Sequence, residues 1–131
     1  MKQGHIDISS LNTPPEQAEF ETAKFFADLG KDIVFIRPSS IPNQHRPDIL
    51  MDGVEWEIKC PEGRSKRTIE NNIRAAVKQS PNIIIDLRRI KIPEKRCLSE
   101  IENNFKTKPD IKRIIVITKE LILIEFPPRC N

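Results

Sequence analysis

A chain of 131 residues with 37% hydrophobic and 31% charged side chains and a mean hydropathy of −0.46 has the size and balance of one folded domain. That excludes a disordered tail and a pair of ordinary domains. No apolar run approaches the ~18 residues of a membrane span, and Met1-Lys2-Gln3-Gly4-His5 leads into no apolar signal segment, so a soluble chain is expected. The net charge of +3 is unevenly spread: residues 1–57 hold 5 Lys/Arg against 10 Asp/Glu, and residues 58–131 hold 17 against 9. The basic excess is densest in residues 59–96, with 11 basic and 4 acidic side chains. Such a stretch reads either as a solvated basic surface or as a polyanion track beside an acidic site. Tyr is absent and aromatics are 5%, too few for a base-stacking platform, so contact with nucleic acid would rest on charge. Cys60, Cys97 and Cys130 are odd in number and lack CxxC or Cys/His spacing, so free thiols are expected, with no zinc site.

Residues 1–14 read as a lead-in, and residues 15–131 as a single domain. Thr13 followed by Pro14-Pro15 resembles a helix start, and the spacing predicts a helix over 16–29, with Ala18, Thr22, Phe25, Phe26 and Leu29 inward and Gly30 as its stop. A short strand follows at 32–36, then a proline-bearing loop over 37–46. Next comes Pro47-Asp48-Ile49-Leu50-Met51-Asp52-Gly53-Val54-Glu55-Trp56-Glu57-Ile58-Lys59-Cys60, in which Asp52-Gly53 predicts a two-residue hairpin turn. A basic loop over 61–67 precedes a helix to Gln79, capped by Ser65 or Thr68. The β-branched run 83–87 reads as a strand buried on both faces and reached by a helical crossover. A third helix is predicted from Pro93-Glu94 to about Lys106, with Cys97, Leu98, Ile101 and Phe105 inward. Strands over 113–118 and 121–126 make a terminal hairpin. The expected class is α/β, a mixed sheet flanked by helices.

Alternation along the second hairpin strand puts Glu55, Glu57 and Lys59 on one face and Val54, Trp56, Ile58 and Cys60 on the other. The turn then sets Asp48 opposite Glu57, with Cβ atoms roughly 4.5–5.5 Å apart. Two carboxylates in that relation destabilise a sheet unless a divalent cation, a shared proton or the Lys59 ammonium compensates. Hard oxygen ligands suit Mg2+ or Mn2+, which keep waters and accept phosphate oxygens, and an adjacent lysine can orient an attacking water or stabilise the transition state. The chemistry this permits is phosphodiester hydrolysis, with Asp48 and Glu57 on the metal and Lys59 as the third catalytic group. Arg64, Lys66 and Arg67 directly follow that strand and are candidates to bind substrate phosphates near a helix N-terminus. Arg88 and Arg89, with Lys91, Lys95 and Arg96, extend the same track. His5 and His45 read as surface histidines.

Pro47-Asp48 and Glu57-Ile58-Lys59, on a helix-strand-strand-strand-helix-strand order, resemble the PD-(D/E)XK nuclease superfamily, with Asp48, Glu57 and Lys59 at its three signature positions. More narrowly, "EFETAKFFADLG", "RPDILMDGVEWEIKCPEG" and "IRAAVKQSPNIIIDLR" are similar to the tRNase toxin domains at the C-termini of contact-dependent growth inhibition proteins (CdiA-CT). The resemblance implies a restriction-endonuclease-like αβββαβ core with an added helix and hairpin. It also implies an acidic residue from the first helix in the site, which alignment on Ala23, Phe26 and Gly30 places at Glu19, with Glu16 or Glu21 as alternatives, and a role for Gln79 on the second helix. By the same resemblance the substrate is tRNA, a cognate immunity protein neutralises the domain, and the domain acts in the cytoplasm of a target bacterium as the C-terminal part of a larger secreted protein. A DNA endonuclease of restriction, repair or phage origin is the enzymatic alternative, and a non-catalytic nucleic-acid-binding domain the other.

Overall fold

The computed structural model describes residues 2–128; Cys130 lies outside the described residues. In chain order the elements are β1 (Ile6–Asp7), α1 (Gln17–Asp28), β2 (Ile33–Phe35), β3 (Ile49–Met51), β4 (Val54–Lys59), α2 (Thr68–Val77), β5 (Asn82–Asp86), α3 (Glu94–Thr107), β6 (Arg113–Ile117) and β7 (Leu123–Phe126). The strands form one seven-stranded mixed sheet in sequential order. β2, β3 and β4 are antiparallel, β4, β5 and β6 are parallel, β7 returns antiparallel to β6, and β1 lies parallel to β2. The expected α/β class and element order are present, with β1 added inside the lead-in.

The parallel trio follows from its sequence. Parallel strands covered on both faces need continuous apolar runs, and Ile83-Ile84-Ile85 supplies one. Ile83 and Ile85 face a core with Ile69, Ile73 and Ala76 of α2 and Cys97 and Ile101 of α3. Ile84 faces the opposite core with Ala23 and Phe26 of α1 and with Trp56 and Ile58 of β4. The sheet is thus sandwiched, with α1 on one face and α2 and α3 on the other.

Several boundaries differ from expectation. Thr13 does not cap α1: Pro15 biases Pro14 to an extended backbone, Glu16 remains extended at φ −59 and ψ 144, and the helix starts at Gln17 without a side-chain cap. Its buried stripe is Thr22, Ala23, Phe26 and Ala27, so Leu29, one residue past the last turn, is exposed. α2 takes no cap from Ser65 or Thr68; Ser65 instead makes a turn, its hydroxyl accepting the Arg67 N–H and its carbonyl the Thr68 N–H. The helix ends at Val77 rather than Gln79, where Gln79 and Ser80 both donate to the Ala76 carbonyl before Pro81. β7 starts at Leu123 because Leu121 adopts a left-handed backbone, φ 64, within the turn.

The lead-in is bound to the domain through Gly4, whose N–H donates to the Ala27 carbonyl at 2.8 Å. A Cβ on Gly4 would lie 1.8 Å from the Lys31 carbonyl oxygen, so no other residue fits there without moving backbone. Gly4→Ala is therefore expected to detach β1 at a cost of about 1–3 kcal/mol. Urea unfolding measures this, and a midpoint equal to wild type would refute it.

Candidate functional site

The site is built on the β3–β4 hairpin. Asp52 and Gly53 both have positive φ, 48 and 84, as a two-residue primed turn requires. Only a residue with little steric cost at positive φ serves at the second position, hence the glycine. The turn fixes the register Met51 with Val54, Leu50 with Glu55 and Ile49 with Trp56. One residue further, the Asp48 N–H donates to the Trp56 carbonyl, and the Asp48 carboxylate accepts the Ile58 N–H at 2.7 Å. Asp48 is thereby held at the mouth of the hairpin, with its carboxyl beside that of Glu57.

Alternation along β4 buries Trp56 and Ile58 against α1 and turns Glu57 and Lys59 to the other face. Glu57 is 5% exposed and Lys59 Nζ stands 3.6 Å from its Oε2. The second oxygen, Oε1, is buried with no hydrogen-bond partner. Burial, then the Asp48 charge, pushes the Glu57 carboxyl from the ordinary 4.5 to about 8, although Lys59 pulls the other way. Burial also raises Asp48, opposed by its hydrogen bonds to Ile58 and Glu57. Two acids so placed titrate as a pair, and both carboxyls are pushed up.

Glu19, on the first turn of α1, joins the pair electrostatically. Burial and the charges of Asp48 and Glu16 raise it to about 7, with Lys59 opposing. Glu19 and Asp48 line a cleft of about 770 Å3 walled by the lead-in at Leu11 to Glu16 and by the β2–β3 connection.

The other candidates are dispersed. Arg64, Lys66 and Arg67 are exposed on the loop between β4 and α2, outside the cleft lining. Gln79 lies past the end of α2, its side-chain amide 3.0 Å from Nδ1 of His45. Arg88 and Arg89 are engaged within the protein. Arg88 grips the fully buried Asp86 with two prongs, Nε to Oδ1 at 2.9 Å and Nη2 to Oδ2 at 2.7 Å. Arg89 pairs with Glu21 of α1, and its Nη1 lies 3.8 Å from Asp86.

That network contains residues the sequence reading did not single out. Asp86 Oδ2 accepts the Thr22 hydroxyl at 2.7 Å, and the same hydroxyl lies 3.3 Å from Sγ of Cys60, the residue after Lys59. α1 is therefore clamped to the ends of β4 and β5 one turn from Glu19. The available signal was an aspartate closing an apolar strand, "IIID", with two arginines close behind. Burial raises the Cys60 thiol to about 11, which leaves it unreactive, in keeping with a free thiol.

Among the described residues no three His, Cys, Asp or Glu side chains are gathered to hold a metal ion between them. A divalent ion such as Mg2+ requires less, since one or two carboxylates suffice when waters and phosphate oxygens fill the remaining positions. Asp48 and Glu57 meet that requirement. The buried Oε1 of Glu57, which has no hydrogen-bond partner, is an oxygen that such an ion would take up.

Two outcomes follow from these energetics. Because the folded state holds the Glu57 proton more tightly than the unfolded chain, Glu57 favours folding below about pH 4.5, and this contribution is lost as pH rises through about 8. In EDTA, Glu57→Gln should therefore gain on wild type between pH 5 and 9 by at least about 1.4 kcal/mol, the worth of one pKa unit. A pH-independent gap in urea midpoints would contradict this. Asp86→Ala, which strands Arg88, should cost about 3–5 kcal/mol by the same measurement, and a loss under about 1 kcal/mol, the scale of an exposed pair, would contradict the clamp.

The family described as the contact-dependent growth inhibition CdiA C-terminal domain matches residues 45–122, a span that contains Asp48, Glu57 and Lys59. Among solved structures the chain is similar to a CdiA-CT/CdiI toxin and immunity complex from Burkholderia pseudomallei, with 20% identity, a TM-score of 0.66, and coverage of 93% of this chain and 98% of that one. At that identity the likeness is one of fold. No curated protein matches the sequence. With more than half of its length matched by the family, the chain belongs to the contact-dependent growth inhibition CdiA C-terminal domains.

Proposed function

We propose that this domain is a metal-dependent nuclease of the PD-(D/E)XK type, with a restriction-endonuclease-like core, that cleaves phosphodiester bonds in tRNA. The observation that carries the reading is the juxtaposition of Asp48, Glu57 and Lys59 on one hairpin, with a buried carboxylate oxygen left unpartnered. Family membership supports its use as an interbacterial toxin, delivered as the C-terminal part of a larger secreted protein and acting in the target cytoplasm. The structurally similar toxin is described with its immunity protein, which supports a cognate immunity protein here.

Asp48 and Glu57 would hold Mg2+ or Mn2+. When bound, the ion supplies charge neutralisation at the phosphodiester and a water of lowered pKa. The chain's own residues do the rest. Asp48, fixed by the Ile58 N–H, lines the cleft beside Glu57. Lys59 keeps an ammonium beside Glu57, where it can orient the attacking water or stabilise the charge that develops on the phosphate. Glu19 contributes from the cleft wall and, with its carboxyl raised to about 7, can take or return a proton near neutral pH. Arg64, Lys66 and Arg67 offer an exposed cationic approach for the backbone outside the cleft.

Incubation of the protein with total tRNA and, in parallel, plasmid DNA, with Mg2+, Mn2+ or EDTA, tests the proposal. Cleavage of tRNA with metal is expected, with loss of about 100-fold or more in Asp48→Ala, Glu57→Gln and Lys59→Ala and a smaller loss in Glu19→Gln. Mn2+ should also raise the melting temperature of wild type and leave Asp48→Ala unmoved. Intact RNA under every metal condition would refute the nuclease reading, and preferential plasmid cleavage would reassign the substrate to DNA.

A further inference from the structure

The cleft presents an electrostatic difficulty. Three of its lining residues, Glu16, Glu19 and Asp48, are acidic, and a polyanion enters only if something offsets them. Lys59 is committed to Glu57, and Arg88 and Arg89 to Asp86 and Glu21. The cations among the lining residues are Arg37 and Arg46.

Their placement follows from the β2–β3 pairing. The last backbone bond between these strands runs from the Ile36 N–H to the Asp48 carbonyl, at 2.9 Å. Arg37 is therefore the first residue beyond the pairing, and Arg46 stands two residues ahead of Asp48. Arg46 spans the neck of the connection, Nη1 donating to the Arg37 carbonyl at 3.3 Å and Nη2 to Gln44 Oε1 at 3.4 Å. Those bonds draw the two ends of the connection together and bring both side chains to one wall. Both residues are exposed, and neither forms an ion pair among the described residues. A planar guanidinium has the donor geometry to take two oxygens of one phosphate.

We infer that Arg37 and Arg46 form the phosphate-binding wall of the cleft and hold the substrate backbone over Asp48, while the loop carrying Arg64, Lys66 and Arg67 stays peripheral. The inference rests on the nuclease reading for its substrate, and on the cleft geometry for its residues. It assigns them to binding: they lower KM and leave the chemical step to the acidic side of the cleft.

The test compares wild type, R37A/R46A, R37K/R46K and R64A/K66A/R67A in two assays. The first is tRNA cleavage with Mg2+ or Mn2+. The second is binding of a fluorescein-labelled single-stranded RNA in EDTA across a salt series. R37A/R46A should raise KM about tenfold or more, the worth of a lost charge-assisted hydrogen bond, with kcat changed less than about threefold. Its salt slope should fall by about 1.4, from two lost phosphate contacts. R37K/R46K, which keeps the charge, should recover part of the affinity, and R64A/K66A/R67A should move KM less. Thermal melts matching wild type confirm that the variants fold. If wild type cleaves tRNA and R37A/R46A cleaves and binds equally well, the arginine wall is overturned and the nuclease reading stands. If wild type cleaves nothing with any metal but R37A/R46A still weakens RNA binding with the reduced slope, the wall stands and the nuclease reading falls. If wild type neither binds nor cleaves, both fall.

Discussion

Two carboxyl groups held side by side beneath a sheet surface cannot both ionise without a positive partner, and the centre of this domain is arranged around that constraint. Asp48 cannot retreat, because the Ile58 N–H and the hairpin register hold it. Glu57 cannot turn away, because β4 is flanked by β3 and β5 and its neighbours Trp56 and Ile58 are locked into the core on the other face. Lys59 relieves part of the repulsion, and the rest pushes both carboxyls upward, Glu57 to about 8. The site is thus strained in charge rather than in backbone.

The division of charge along the chain acquires a spatial meaning. The acidic first part builds the cleft and its floor, through Glu16, Glu19 and Asp48. The basic later part is more heterogeneous than its composition suggests. Arg88 and Arg89 act inside the structure, holding α1 through Asp86 and Glu21, and leave the exposed loop of Arg64, Lys66 and Arg67 as surface charge. A count of lysines and arginines cannot separate these uses, since the separation depends on which carboxylate the fold brings alongside.

The hairpin was legible because its information is local. Asp52-Gly53 dictates the turn, the turn dictates the register, and the register brings Asp48 to Glu57. The run Ile83-Ile84-Ile85 was legible for a similar reason, since it needs apolar cover on both faces whatever provides it. Helix ends were less legible: Thr13 and Ser65 carry the right chemistry for caps, but Pro14-Pro15 and a competing turn divert them. The pairing of Thr22 with Asp86 was not legible because it joins residues far apart in sequence. No local pattern announces that a threonine in α1 meets an aspartate at the end of β5, or that the connection after β2 lines the same cleft as Glu19.

The bond between Thr22 and Asp86 joins residues 64 positions apart, and Cys60 meets the same hydroxyl from the strand that carries Glu57 and Lys59. One hydroxyl thus ties the helix bearing Glu19 both to the strand of the candidate site and to the strand that follows the α2 crossover. Loosening any one of the three would let α1 shift against the sheet and carry Glu19 away from Asp48, so the shape of the cleft answers to a contact that lies outside it.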